Sequence, residues 1–325
     1  MKAALCKSLD GPDAIVIEDI AEPLPGEDQV IVRVKAAALN FFDTLQARGK
    51  YQFKPPLPFS PAGEFAGVID KVGAGVSGFK PGDRVFGYGH EGAAREKIAV
   101  PAAGLIRTPE GVADEIACGI TVTYGTALHG LKDRAGLQSG ETCAVLGASG
   151  GAGLAAVELA KIMGATVIAC ASSDDKLNVC KSRGADTLVN YSDGDLKEKL
   201  RAATGGKGVD VIYDCVGDRF AEPAVRAMNW GGRYLVIGFA GGDIPRIPLN
   251  LLLLKSCALI GVFWGAHVAR NPSSHEANMS ELADWVRSGR LRPHIHKVYE
   301  LVETAEAIRE LDRRASTGKV VIRIA

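Results

Sequence analysis

A chain of 325 residues, 47% hydrophobic and 23% charged, is long enough for about two domains and apolar enough to give each a core. Lys plus Arg and Asp plus Glu both number 38, so the basic surplus of a nucleic-acid or anionic-membrane surface is missing, and neither partner is expected. The longest apolar run, near 249–254, falls far short of the ~20 residues that span a bilayer, and the first residues lack a secretory pattern. A cytoplasmic protein is expected. Cysteine use agrees. Cys6, Cys118, Cys143, Cys170, Cys180, Cys215 and Cys257 are odd in number, form no Cys-x-x-Cys, and mostly sit in apolar runs, as buried reduced thiols do.

In the first third, short Val- and Ile-rich runs at 14–18, 29–34, 67–72 and 83–86 are separated by turns such as Lys80-Pro-Gly-Asp83. That texture predicts a small barrel-like β domain. The stretch 116–132 carries few charges and is expected as a helix. From residue 141 apolar strands alternate with helical segments. The expected strands are 142–146, 166–170, 187–190, 209–213, 233–237 and 258–262, and the helices lie near 152–163, 174–183, 196–203 and 219–228. Continuous apolar strands separated by helices imply a parallel sheet covered on both faces, and six of them fit an α/β doubly wound dinucleotide fold. A helix over 301–312, with Leu301, Ala305, Ile308 and Leu311 on one face, and a strand over 319–324 are expected to return to the first domain.

Glycine is over-represented at 39 residues, and its densest use is chemically informative. The strand 142–146 leads into Gly147-Ala-Ser-Gly150-Gly-Ala-Gly153 and then a helix. Against G-x-G-x-x-G, Ala148 holds the first glycine position, followed by Gly150 and Gly153. Gly150 would let backbone approach a pyrophosphate, Gly153 would let the helix lie close to the strand, and the helix N-terminus would face the phosphates. The second strand ends in Ala171-Ser-Ser-Asp-Asp-Lys176, with small hydroxylic residues at the tip rather than a carboxylate for a ribose 2′-OH. Lys176 can meet a 2′-phosphate as a point charge, and Tyr191 can add a hydroxyl. NADPH is the expected cofactor.

From end to end the chain resembles the zinc-free quinone oxidoreductases, the zeta-crystallin-like group of the medium-chain dehydrogenase/reductase superfamily. The residues that carry the resemblance are Ala38-Leu-Asn40-Phe-Phe-Asp43, Pro61-Ala-Gly-Glu64-Phe-Ala-Gly67-Val and Phe79-Lys-Pro-Gly82-Asp83-Arg84-Val85. Further along come Tyr124-Gly-Thr126-Ala, the glycine loop, Gly184-Ala-Asp186 with Asn190-Tyr191, and Gly318-Lys319-Val-Val. It implies a GroES-like β-barrel catalytic domain over 1–122, a Rossmann domain over 123–264 and a return to the catalytic domain over 265–325. Zinc members carry Cys where this chain has Asn40 and His where it has Gly63, so no metal is expected. His90 and Glu91 alone read as loop groups.

The resemblance places Asn40, Asp43 and Tyr51 near the substrate cleft and Thr126 near the nicotinamide, as candidate catalytic residues. Asn40 can hydrogen-bond an acceptor oxygen or the ribose, Asp43 fixes local structure, and Tyr51 stacks on or contacts the acceptor. Cofactor contacts are implied for Asn40, Thr126, Ala148, Ser149, Gly150, Gly151, Ala152 and Gly153. They are also implied for Ser172, Lys176, Tyr191, Val216, Gly238, Phe239, Phe263, Trp264 and Lys319. The expected chemistry is hydride transfer from NADPH to a small apolar conjugated acceptor, a quinone, with solvent or a hydroxyl completing protonation. A 2-enoyl or alkenal double-bond reductase and a non-catalytic NADPH-binding crystallin-like protein are the alternatives. A homodimer through the edge of the sixth strand is expected.

Overall fold

The computed structural model describes residues 1–192 and 194–324. The chain divides into two units, Met1–Val122 with Pro272–Ala325, and Thr123–Asn271. The second seam therefore falls after Asn271, not after 264. The Trp264–Arg270 helix stays with the second unit because His267 stacks on His129 there, ring centroids 3.8 Å apart.

The spine of the first unit is the strand Gln29–Leu39, three residues in four of which are apolar or small and nearly all of which are buried. It pairs antiparallel with three strands: Glu64–Val72 along most of its length, Lys97–Pro101 at its start and Lys319–Arg323 at its end. The strands Arg84–Tyr88 and Ile295–Glu300 extend the sheet on either side. Val30, Val32, Val34, Phe65, Ile69, Val85, Ile98, Val320 and Ile322 form its core. Close pairing has a sequence requirement at Gly67, where a Cβ would stand 2.1 Å from the Arg33 carbonyl oxygen. The last strand, Lys319–Arg323, thus belongs to the first unit.

The second unit is a six-stranded parallel sheet. Its strands Thr142–Leu146, Thr166–Ala171, Thr187–Asn190, Val209–Asp214, Met228–Val236 and Ala258–Gly261 lie in the order 3-2-1-4-5-6. This is the doubly wound dinucleotide order, and the first and fourth strands are neighbours at its reversal point. The fifth strand starts earlier than its apolar run because Met228 pairs with Val209 ahead of a bulge, and regular pairing resumes at Arg233.

The single helix expected over 116–132 is instead two short helices, Asp114–Ala117 and Thr123–Leu128, followed by a π-helical turn His129–Arg134. The break has a cause far away in sequence: the Val122 N–H donates to the Glu64 carboxylate at 2.6 Å rather than to a helix carbonyl. All seven cysteines are free thiols, five of them buried. No helix among the described residues is long and apolar enough to cross a membrane.

The Thr123–Leu128 helix packs on the Gly151–Ile162 helix with a buried polar contact, Tyr124 Oη donating to Glu158 Oε2 at 2.5 Å. Burial pushes the Glu158 carboxyl from 4.5 up to about 7, against this hydrogen bond and the Arg183 guanidinium. The fold therefore favours the neutral acid. As pH rises from the unfolded value through 7, the unfolded chain ionises first and the native state loses stability, by up to about 3 kcal/mol at ~1.36 kcal/mol per pH decade. Glu158→Gln keeps an acceptor for Tyr124 and removes the titration. Denaturant unfolding at pH 5 and pH 8 should show the wild type losing stability relative to this variant; parallel behaviour would contradict the assignment.

Candidate active site

The spine strand ends at Leu39 and leads into Asn40, whose extended backbone (φ −129°, ψ 165°) caps the Phe41–Gln46 helix. Asp43, fully buried, turns back and accepts the Asn40 N–H at 2.7 Å and the Ala62 N–H at 3.0 Å. Such a return from the third helical residue satisfies donors that a helix start leaves open. Burial pushes the Asp43 carboxyl up to about 7, while the two N–H donors and Lys319 pull the other way.

The Asn40 side chain joins a buried polar cluster. Its amide donates to Glu64 Oε2 at 2.8 Å, and its Oδ1 accepts from Lys319 Nζ at 2.8 Å. Lys319 also donates to Glu64 Oε2 at 2.7 Å and to the Leu39 carbonyl at 3.2 Å, which uses all three N–H bonds of the ammonium. Glu64 and Lys319 are 0% and 3% exposed. The lysine for which a cofactor contact is implied is thus committed within its own unit. Glu64 was not singled out as a site residue by sequence, though a lone charge inside Pro61-Ala-Gly-Glu64-Phe-Ala was a readable signal. Beside the cluster Tyr51 stacks on Phe42, centroids 5.4 Å apart, with its phenol raised by burial and by the Asp43 charge.

In the second unit the glycine loop follows the first strand. Gly147 has φ +70°, and Gly150 caps the Gly151–Ile162 helix. The two later glycines differ. A Cβ on Gly150 would meet nothing nearer than the Gly147 carbonyl at 3.5 Å, so that side of the loop is open. A Cβ on Gly153 would stand 2.1 Å from the same oxygen and 2.8 Å from the Ala148 Cα. Gly151, Ala152 and Gly153 form the first helical turn, whose N–H groups point out of the helix end. Ala148 and Ser149 are buried beneath it.

Other predicted residues gather at the same carboxyl end of the sheet. Val216, after the fourth strand, has its Cγ2 2.9 Å from where a Gly147 Cβ would be. Its N–H and that of Gly217 donate to buried Asp214 at 2.6 and 3.0 Å, and the Tyr234 hydroxyl donates to the same carboxylate. Asp214, raised by burial, is another residue that sequence reasoning did not single out. Gly238 and Phe239 follow the fifth strand, with Phe239 against Gly217 and 38% exposed. After the sixth, Phe263 is 60% exposed and Trp264 is buried. Thr126 is half-buried on its short helix.

At the tip of the second strand Lys176 Nζ lies 3.3 Å from Ser172 Oγ, and Ser173 caps the Asp174–Ser182 helix. Asp174 accepts from the Asn190 side chain, so a carboxylate near the tip has its own partner. Tyr191 donates its N–H to the Ala171 carbonyl and rests its ring on Phe220. The loop and this tip fit a phosphorylated dinucleotide: an open backbone cradle at one end and a cation with a hydroxyl at the other. Elsewhere in the unit His129, Asp133 and His267 place one potential metal-donor atom each within 4.8 Å. The two imidazoles lie nearly parallel, 23° between planes, so their in-plane lone pairs run side by side rather than converge.

A GroES-like sheet unit, a doubly wound unit and a glycine loop at the switch point define a medium-chain dehydrogenase/reductase, a superfamily of oxidoreductases, and the chain belongs to it. Residues 26–110 match the alcohol dehydrogenase GroES-like domain and 151–285 the zinc-binding dehydrogenase domain. Within the superfamily it belongs with the quinone oxidoreductases. It is 39% identical to rat quinone oxidoreductase-like protein 2 over 99% of this chain and 91% of that one. The Escherichia coli quinone oxidoreductase solved in complex with NADPH superposes with a TM-score of 0.92 at 27% identity, covering 99% and 100% of the two chains. The CurK enoyl reductase gives 0.89 at 26% identity, covering 100% and 99%.

The two glycines should fail differently. Gly153→Val should destabilise the protein without any ligand, by at least the roughly 1–3 kcal/mol of an overpacked site. Gly150→Val should leave the apo-protein's melting temperature near the wild-type value but remove the stabilisation by NADPH, about 2.7 kcal/mol at a hundred times the dissociation constant. Unchanged NADPH affinity in Gly150→Val would move the cofactor elsewhere.

Proposed function

We propose that this chain is an NADPH-dependent reductase that delivers a hydride to small apolar conjugated acceptors, quinones first, without a metal ion. The observation that carries the reading is the buried Asn40–Glu64–Lys319 cluster. Its cation is an ammonium, and neither the amide of Asn40 nor Gly63 brings the thiolate or imidazole that zinc takes as ligand. A conjugated acceptor spreads the charge it gains, so it needs less Lewis-acid help than a simple carbonyl. The reduced nicotinamide supplies the hydride. The chain's own residues bind the pyrophosphate at Gly150 to Gly153, hold the 2′-phosphate at Ser172 and Lys176, and present the acceptor with the Phe42–Tyr51 stack. The solved quinone oxidoreductase with NADPH supports the cofactor and acceptor; the CurK enoyl reductase favours activated C=C bonds as the second reading.

The test is a panel of quinones and enones followed by NADPH absorbance, with NADH as comparison and with exhaustive chelation. Quinone turnover should exceed enone turnover and survive chelation. A hydrogen bond to a charged group is worth roughly 1.5–3 kcal/mol, so Lys176→Ala should weaken NADPH binding by about 10- to 150-fold and leave NADH nearly unaffected. Equal use of both cofactors, or loss of activity with a stoichiometric metal, would refute the proposal.

We also propose a homodimer through the sixth strand. Ala258–Gly261 is an edge strand whose residues other than the half-buried Ile260 are exposed, and Phe263, Leu249, Leu253 and Leu254 are 60%, 74%, 81% and 69% exposed. An uncovered apolar edge is a template for pairing. Sedimentation at micromolar concentration should give twice the chain mass, and Leu253→Glu with Leu254→Lys should return it to the monomer.

A further inference from the structure

The polar cluster of the first unit cannot easily supply a proton. Lys319 has given all three of its N–H bonds to Leu39, Asn40 and Glu64. Asp43 accepts from two backbone N–H groups and, though burial raises its carboxyl to about 7, it has no contact with solvent from which to regain a proton. An acceptor that takes a hydride nevertheless gains a proton as well, so the acidic hydrogen must come from elsewhere.

Tyr88 stands opposite Glu64 in the antiparallel pair formed by Glu64–Val72 and Arg84–Tyr88. Its ring lies directly on the backbone of Gly63: a Cβ there would come within 2.7 Å of Tyr88 Cε2 and 3.2 Å of Cδ2. Glycine at 63 is thus what admits the phenol. Its hydroxyl lies 3.2 Å from His90 Nδ1, and the two rings meet edge-on at 5.1 Å. Phe53 flanks His90 at 4.9 Å. His90 is exposed to solvent and held at φ +21°, and Ala62, beside Gly63, has φ +65°. Strained non-glycine backbone of this kind is kept where the surrounding structure over-determines it, and such sites cluster where function demands them. Burial, then the charges of Tyr51, Asp43, Glu64 and Glu91, keep the phenol well above its ordinary value, so it carries its hydrogen throughout the working pH range.

We propose that Tyr88 is a catalytic residue whose phenol O–H protonates the acceptor oxygen, with His90 as the positioning residue that holds the phenol and resupplies it from solvent. The proposal rests on the reductase reading above. The hydride brings two electrons to the acceptor, and the displaced π pair comes to rest on its carbonyl oxygen. The Tyr88 O–H bond breaks as a new O–H bond forms on that oxygen. His90 passes its Nδ1 proton to the phenol oxygen as this bond breaks, so that no free phenolate forms beside those charges, and solvent reprotonates His90 at Nε2. The reduced nicotinamide dinucleotide is oxidised, the acceptor is reduced, and one proton is drawn from water.

The experiment compares wild type, Tyr88→Phe and His90→Gln, with 1,4-naphthoquinone as acceptor and NADPH as reductant. Phenylalanine keeps the ring on Gly63, so melting temperatures should match. Loss of a general acid should lower kcat by about 100-fold or more with little change in KM, and His90→Gln should fall between. A second readout needs no turnover: 4-nitrophenolate, an oxyanion of the product's shape, is added to the apo-protein and its absorbance band followed. Wild type should shift the band, and Tyr88→Phe should not. Unchanged kcat in Tyr88→Phe, or an unchanged nitrophenolate shift, overturns the proposal. A wild type that reduces neither quinones nor enones would sink the reductase reading instead, and the nitrophenolate measurement would still decide on Tyr88.

Discussion

The ion pair between Glu64 and Lys319 is the interaction on which the first unit depends. It joins residues 255 apart in sequence, at 2.7 Å, with both side chains sealed from water. Desolvating two charges is expensive, and a buried pair is only weak evidence for net stability. Removing one partner is another matter, because it strands the other charge at about 3–5 kcal/mol. That asymmetry ties the Lys319–Arg323 strand to the Gln29–Leu39 strand by more than backbone pairing. The second oxygen of Glu64 accepts from Val122, the last residue of the first unit's leading segment. One carboxylate thus secures the place where the chain leaves the unit and the strand with which it closes.

The glycines complement this charge network by removing side chains where backbone must come close. Gly67 lets the Glu64–Val72 strand press against Arg33, Gly63 lets Tyr88 lie on the chain beside the cluster, and Gly153 lets a helix start against its strand. In each the blocked Cβ faces backbone or, at Gly63, the half-buried Tyr88 ring, so a side chain there would have to displace its neighbour. Gly150 is different in kind: a Cβ there would make only an ordinary contact, 3.5 Å from the Gly147 carbonyl oxygen, so packing does not require it to be glycine. A glycine without a packing reason, at the reversal point of a doubly wound sheet, is the mark of a ligand.

The parallel sheet was the most legible part of the sequence. Its first and third strands, Thr142–Leu146 and Thr187–Asn190, begin and end where their apolar runs do, since both faces are covered and nothing but turn residues bounds them. Lys176 beside Ser172 could be read because both sit within five residues of the strand's end. The broken helix after Asp114 could not. Its interruption is made by Glu64, on a strand of the β unit, and local composition carries no trace of that partner. The Pro272–Arg287 helix is not among the elements expected from sequence, although its buried residues His275, Asn278, Met279, Leu282 and Ala283 fall on one face. Tyr88 was hidden for a similar reason, because its position is set by a missing side chain at Gly63, just before the neighbouring strand. Local propensity reports on elements; long-range hydrogen bonds and close approaches decide where they stop.

The first unit also separates two tasks that proteins often load onto the same residues. Charges buried in a saturated network, Asp43 with its two N–H donors and Lys319 with its three acceptors, hold geometry. Lys319 cannot lose a proton without losing one of the hydrogen bonds that hold the closing strand, and Asp43, sealed from water at the helix start, has no solvent to exchange with. A group that must give up and regain a proton on each turnover needs contact with solvent and a partner that can reload it. Half-buried Tyr88 with exposed His90 meets that requirement, and the saturated cluster does not. Saturated charge inside and exchangeable protons at its margin follow from one asymmetry: a buried polar group left without its partner costs far more than the hydrogen bond itself contributes.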